Sequence, residues 1–133
     1  MILIDTHILI WLLDADSRLG NKSRSILDHA IQNQNLYISA ISFWELVMLN
    51  DKGRVIQETP VLVTRRELIS GGLQEIPISG EIGCKAAELK DIHGDPADRI
   101  ILVTALMKDM KLCTADKALI NYKNGPAILN PFK

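Results

Sequence analysis

Only two cysteines occur in the 133 residues, Cys84 and Cys113, and neither has a partner two or three positions away, which excludes a CxxC redox pair and a cysteine-based zinc knuckle. Both are expected to be reduced thiols in the core. There is no surplus of one charge. Fifteen Lys and Arg stand against sixteen Asp and Glu, a formal net charge of −1, so general electrostatic coating of nucleic acid is excluded and any RNA or DNA contact must be local. A long apolar run is also missing. The hydrophobic stretch at the start is cut by Asp5, His7 and Asp14, leaving neither a clean signal-peptide core nor a membrane-spanning segment. The expectation is a soluble, cytoplasmic protein with no membrane partner. Aromatic residues are scarce at 5%, but 47% of the chain is hydrophobic and 23% charged, a balance that folds rather than stays disordered. The length suits one domain over residues 1–133.

The order of local signals alternates strand and helix. Residues 1–4 form a continuous apolar run, as expected of a strand buried on both faces of a parallel sheet, and a buried helix over 6–13 follows. An amphipathic helix is expected from Gly20 to Asn33, a strand over 36–39, and a third helix capped by Ser42 with Glu45 at capping-box spacing, running to about Lys52. Gly53 stops it. Pro60 opens another helix that ends at Ser70, before Gly71 and Gly72. A strand over 73–78, a helix over 79–89 and a polar loop over 90–94 come next. Asp95-Pro96 is a helix start, with the helix reaching about Met110; a strand over 111–114, a turn of helix opened by Asp116 and a last strand over 127–129 complete the chain. This pattern predicts an α/β/α three-layer fold around a mostly parallel sheet of about five strands. Ligands of such sheets gather beyond the carboxyl ends of the strands, where Asp5 and Asp116 stand.

The acids carry the chemical signal. Asp5, Asp95 with Asp98, and Asp116 each have a plain explanation as helix caps or first-turn acids. Glu45 is different, because it is the only charge in Phe43-Trp44-Glu45-Leu46-Val47-Met48-Leu49. A carboxylate in a buried helix costs on the order of several kcal/mol unless it is paired, protonated or bound to a cation. If the four segments converge, carboxylate repulsion calls for a cation, and an oxygen-only donor set favours Mg²⁺ or Mn²⁺ over zinc. That chemistry serves phosphodiester hydrolysis.

Ile2-Leu3-Ile4-Asp5-Thr6, the isolated helical Glu45, Asp95-Pro96-Ala97-Asp98-Arg99 and Leu112-Cys113-Thr114-Ala115-Asp116 together resemble the four motif regions of PIN-domain nucleases, and most closely VapC-type toxins of toxin–antitoxin pairs. The resemblance spans residues 2–116. It implies a PIN-like fold and a metal-dependent endoribonuclease that stops translation by cutting structured RNA, commonly a transfer or ribosomal RNA, until an antitoxin blocks it. It also implies a homodimer, with the antitoxin's tail laid along the active-site groove. Asp5, Glu45, Asp98 and Asp116 match the family's acidic quartet and are the expected catalytic residues and ligands of Mg²⁺ or Mn²⁺. Asp95 stands in reserve for Asp98, and Thr6 and Thr114 match polar positions beside the first and last acids.

Arg54, Arg65, Arg66, Arg99 and Lys117 are candidate phosphate contacts, weighed against the ordinary fate of charged side chains, which is to solvate a face. His7 and His93 stay outside the catalytic set, and Trp11 and Trp44 read as core or dimer surface rather than base-stacking platforms. Three other functions compete: a PIN-type RNA-processing nuclease without an antitoxin, a cation-binding signalling domain of the receiver type, and a silent interaction domain. The receiver reading is disfavoured, since Asp5 is followed by Thr6 and the third strand ends without aspartate.

Overall fold

Five parallel strands form one sheet in a computed structural model that describes residues 1–53, 58–92 and 94–133. In chain order the elements are β1 (Ile2–Ile4), α1 (Thr6–Leu13), α2 (Asn21–Gln32), β2 (Leu36–Ser39), α3 (Ala40–Asp51), α4 (Val61–Ser70), β3 (Gln74–Ile76), α5 (Gly80–Glu88), α6 (Pro96–Met107), β4 (Lys111–Cys113), α7 (Lys117–Ile120) and β5 (Ile128–Leu129). Arg54 and His93 lie outside the described residues. The strands run β3-β2-β1-β4-β5, so the chain winds outward in one direction from β1 and then crosses to the other side at β4. That order differs from the 2-1-3-4-5 arrangement of receiver-type folds. It puts the topological switch point between β1 and β4, where the sheet opens a crevice.

Strand register accounts for the two cores. Leu3, Tyr37 and Leu112 lie side by side, as do Ile4, Ile38 and Cys113. Because successive side chains point to opposite faces, these rows belong to different layers. Ile4, Ile38 and Cys113 pack with Ile8 and Leu9 of α1, Leu27 of α2, and Phe43 and Leu46 of α3. Leu3 and Leu112 pack with Ile101, Leu102 and Ala105 of α6 and Leu119 of α7. The three-layer α/β/α expectation is met. Among the described residues no helix is long and apolar enough to cross a membrane.

Several local expectations need correction. Ser42 does not cap α3. Ser39 does, its hydroxyl accepting from the Ile41 amide at 3.2 Å, and Ser42 lies fully buried one turn inside. Glu45 therefore has no capping-box duty. β3 is shorter than 73–78, because the Leu73 amide donates to the Leu68 carbonyl at the end of α4 and Pro77 has no amide to offer a ladder. α6 stops at Met107. Asp109 takes a left-handed φ of 51°, and the Met110 amide closes onto the Ala105 carbonyl at 2.9 Å, a Schellman ending. Cys84 is exposed, since α5 turns Ile82 and Ala86 inward and Cys84 falls between them on the outer face; only Cys113 is a core thiol.

Residues 130–133 are strapped to the start of α2. The amides of Gly20 and Lys22 donate to the carbonyls of Pro131 and Lys133 at 2.8 and 3.0 Å, and the Ser23 hydroxyl donates to the Asn130 carbonyl at 2.6 Å. A Cβ on Gly20 would collide with the backbone carbonyl of Lys133. Gly20→Ala is therefore expected to release the strap and lower stability by about 1–3 kcal/mol, the scale of overpacking. Thermal melts of Gly20→Ala with and without residues 130–133 check this: in the shortened chain the substitution should have little further effect.

Candidate active site

Asp5, Glu45, Asp95, Asp98 and Asp116 line one cleft of about 1010 Å³ at the carboxyl ends of β1 and β4. They reach it from four segments, Asp95 and Asp98 sharing the start of α6. Asp5 follows β1 directly and is 4% exposed; its Oδ1 accepts from the Ile8 amide at 2.9 Å, capping α1, and its Oδ2 accepts from the Thr114 hydroxyl at 2.5 Å. The Thr114 oxygen in turn accepts from the Asp116 amide at 3.0 Å. One buried hydroxyl thus ties the first acid to the loop that carries the last. The Asp5 amide adds a bond to the Cys113 carbonyl at 3.2 Å. Asp116 is exposed and caps α7 through the Ala118 amide at 2.8 Å. Asp95 caps α6 through the Ala97 amide at 3.1 Å, with Asp98 in the first turn of that helix. Capping and cleft-lining coexist here, because a carboxylate has lone pairs for both.

Glu45 projects from α3 and is 8% exposed. Thr6 stands beside it: the Thr6 and Ser42 hydroxyl oxygens are 2.9 Å apart, and Thr6 also hydrogen-bonds Glu45. Both Asp95 and Asp98 line the cleft, and their neighbours differ. Asp95 hydrogen-bonds Glu45, whereas Asp98 interacts chiefly with Asp116 and Asp5.

The electrostatics follow from this crowding. Burial pushes the Asp5 carboxyl above its ordinary range, as does the charge of Asp116, while bonds from Thr114 and Ile8 and the nearby His7 pull it back. Burial raises Glu45 to about 7, the Thr6 bond opposes that, and sharing with Asp95 together with the charges of Asp95 and Asp98 adds to it. Asp98 is likewise raised to about 7 by burial and then by Asp116, Asp5 and Asp95. Beneath the site, burial and the Asp5 charge push the Cys113 thiol up to about 12, so it stays protonated. Among the described residues no three carboxylate, imidazole or thiolate groups already enclose a position for one ion. The donor set is nevertheless oxygen-only, anionic and short of countercharge, which is the chemistry that fits a hard divalent cation.

The sequence profile of the PIN domain matches residues 2–125. The chain belongs to the PIN-domain family. It is 29% identical over 124 residues to ribonuclease VapC22 of Mycobacterium tuberculosis, a match covering 92% of each chain. Among solved structures, a chain of a toxin–antitoxin complex from Klebsiella pneumoniae matches with a TM-score of 0.68 and 25% identity, over 100% of this chain and 99% of that one. VapBC2 from Rickettsia felis, solved with a DNA fragment from the promoter of that pair, matches with a TM-score of 0.71 at 18% identity over 98% of both chains, a likeness of fold.

The cations of this PIN domain are placed differently from the sequence expectation. Arg65 is held by Glu75 at 2.6 and 2.8 Å, and Arg99 donates to the carbonyls of Leu89 and Ile92 at 3.1 and 2.9 Å, bracing the loop before α6. Neither lines the cleft, nor do Arg66 and Lys117, whereas Arg18, His7 and Trp11 do. Arg18 was missed by sequence reasoning because it follows Asp14 and Asp16 in what reads as a polar turn. Trp11 is buried, while Trp44 is 53% exposed on α3.

Two outcomes follow. With folded-state values raised to about 7, Glu45 and Asp98 bind protons in the folded chain that the unfolded chain has released above its ordinary carboxylate range. Stability of the metal-free protein is therefore expected to fall as pH rises from about 4.5 through 7; the ion-paired Asp16 and Glu75, both shifted downward, titrate below this window. Melting at a series of pH values should show that slope, and Asp98→Asn should flatten it and raise the midpoint at high pH by about 2–5 °C. Separately, Thr114→Val strands the Asp5 oxygen and the Asp116 amide, with an expected loss of about 1–3 kcal/mol in denaturant melts, whereas Thr114→Ser should keep most of it.

Proposed function

We propose that this chain is a divalent-metal-dependent endoribonuclease and the toxin of a toxin–antitoxin pair. The observation that carries the reading is the meeting of Asp5, Glu45, Asp95, Asp98 and Asp116 in one cleft at the switch point of a PIN fold. The relatives support it, being a ribonuclease and a chain of a toxin–antitoxin complex. An RNA-processing role without an antitoxin would use the same cleft and differ only in its partner. The receiver-type alternative has lost its support, since the strand order is different and β3 ends at Ile76, followed by Pro77, with no aspartate to accept a phosphoryl group.

In this reading Asp5, Glu45, Asp98 and Asp116 would hold Mg²⁺ or Mn²⁺, with Asp95 completing the acidic wall. A bound divalent ion supplies an activated water and neutralises charge on the scissile phosphate and the departing oxygen. The chain's own contribution is preorganisation. Asp5 is fixed at both oxygens by the α1 amide and Thr114, so it pays no ordering cost when the substrate arrives. Thr6 and Ser42 fix the Glu45 side of the wall, where burial and the neighbouring Asp95 and Asp98 hold the Glu45 carboxyl above its ordinary range. An acidic cleft of this kind also suits a basic segment of an antitoxin, which would compete with both RNA and metal. Homodimer formation, implied by the resemblance, belongs to the same reading.

Incubation of the purified chain with total cellular RNA, Mg²⁺ or Mn²⁺, and then chelator is the direct test. New ends should appear only with metal and should carry 5′-phosphates; 2′,3′-cyclic phosphates would point to attack by the RNA's own hydroxyl and overturn the mechanism. Asp5→Asn and Asp116→Asn should each reduce cleavage by more than the roughly 10–100-fold typical of groups that merely orient a ligand. Their far-ultraviolet circular dichroism should match that of the parent chain. Co-expression with a basic-tailed antitoxin should suppress cleavage; a toxin role is excluded if no neighbouring gene product does so.

A further inference from the structure

We propose that Arg18 is the anchor for the phosphodiester backbone of the RNA strand in this cleft, an inference that rests on the ribonuclease reading above. A strand bound here brings negative charge into a cleft walled by acids. The bound ion answers for the scissile phosphate, and the neighbouring phosphates need a cation of the protein's own. Of the described residues that line the cleft, Arg18 alone carries a permanent positive charge.

Its geometry is that of a preset contact. Nε donates to Asp16 Oδ1 and Oδ2 at 3.1 and 3.2 Å, and Nη2 donates to Oδ2 at 2.7 Å. The guanidinium carbon lies 4.8 Å from the centre of the Trp11 ring, which covers one face. Trp11 is buttressed in turn by Phe132, the ring centres 5.9 Å apart and the planes tilted by 53°. Yet the Arg18 side chain remains 64% exposed, and both Nη1 hydrogens have no acceptor among the described residues. A guanidinium held along one edge and one face, with the other edge bare, presents a donor fork that matches phosphate oxygens.

Charge accounting supports a phosphate over a base. Asp16 is shared, because Arg24 also acts on it and donates from Nη2 to its carbonyl at 3.3 Å. Arg18 is also not committed to the acidic wall. The groups that act on Asp98 are Asp116, Asp5 and Asp95, and Arg18 is absent from them. Its contact therefore falls on a phosphate outside the metal-binding carboxylates, as a positioning contact for the strand.

Arg18→Gln and Arg18→Lys in the full chain test this. Binding of a fluorescent single-stranded RNA is measured with Ca²⁺ in place of the catalytic ion over a series of monovalent salt, and cleavage kcat and KM are measured with Mn²⁺. Arg18→Gln should raise Kd and KM about 10-fold, keep kcat within about twofold, and lower the slope of log affinity against log salt by about 0.7. Arg18→Lys should restore the slope with only part of the affinity. Single methylphosphonates walked along the RNA should find one linkage, away from the cleaved bond, at which the parent chain loses affinity and Arg18→Gln does not. Unchanged KM and salt slope in a folded Arg18→Gln protein, or a loss confined to kcat, overturns the anchor while the ribonuclease reading stands. A parent chain that neither binds nor cuts RNA overturns both.

Discussion

The bond from the buried Thr114 hydroxyl to Asp5 is the contact on which the site depends. A carboxylate at the end of a central strand, almost shut off from water, is costly to keep charged without donors aimed at it. Thr114 supplies one, the first turn of α1 supplies another, and the same hydroxyl accepts from the Asp116 amide. Two chain segments more than a hundred residues apart are fixed to each other by one oxygen. The parallel pairing of β1 with β4 brings Ile4 beside Cys113, and this register sets Thr114 against Asp5. A slip of one residue would turn Thr114 to the other face of the sheet and leave Asp5 unsatisfied.

Around that bond the site is built against its own stability. Burial and mutual repulsion raise Asp5, Glu45 and Asp98 together, so the folded metal-free chain carries electrostatic strain that neutralisation relieves. The cost is tolerable because the sheet beneath is covered on both faces by apolar rows and the acids stand only at its rim. A cleft that repels anions unless a cation intervenes also makes catalysis conditional. On the proposed function, RNA would enter productively only with metal bound, and a basic peptide would fit the same space without it.

Much of the fold was legible because periodicity and punctuation agreed. Apolar runs of three or four residues followed by helix-forming stretches with caps at Asp5 and Asp116 mark βα units with little ambiguity, and Asp95 marks a helix start after a polar loop. Errors fell where two residues competed for one role. Ser39 and Ser42 both precede the α3 pattern, and only packing shows that Ser42 is needed inside, against Thr6. Cys84 was misjudged from composition, since a cysteine's usual burial says nothing about which face of α5 it occupies. The isolated Glu45 was informative because a charge in an apolar helix requires a partner, and the partners prove to be Thr6 and Asp95.

The residues alone determined that this chain folds as alternating strands and helices and that several acids end or begin those elements, because local hydrophobic spacing and capping chemistry act within a few positions of the chain. Which acids meet, that Asp95 and Asp98 serve different neighbours, and that Arg18 rather than Arg65 or Arg99 faces the cleft were decided by tertiary structure. The reason is that distance between side chains brought together from separate segments depends on strand order and register. Those emerge only when the whole sheet has closed over both of its cores.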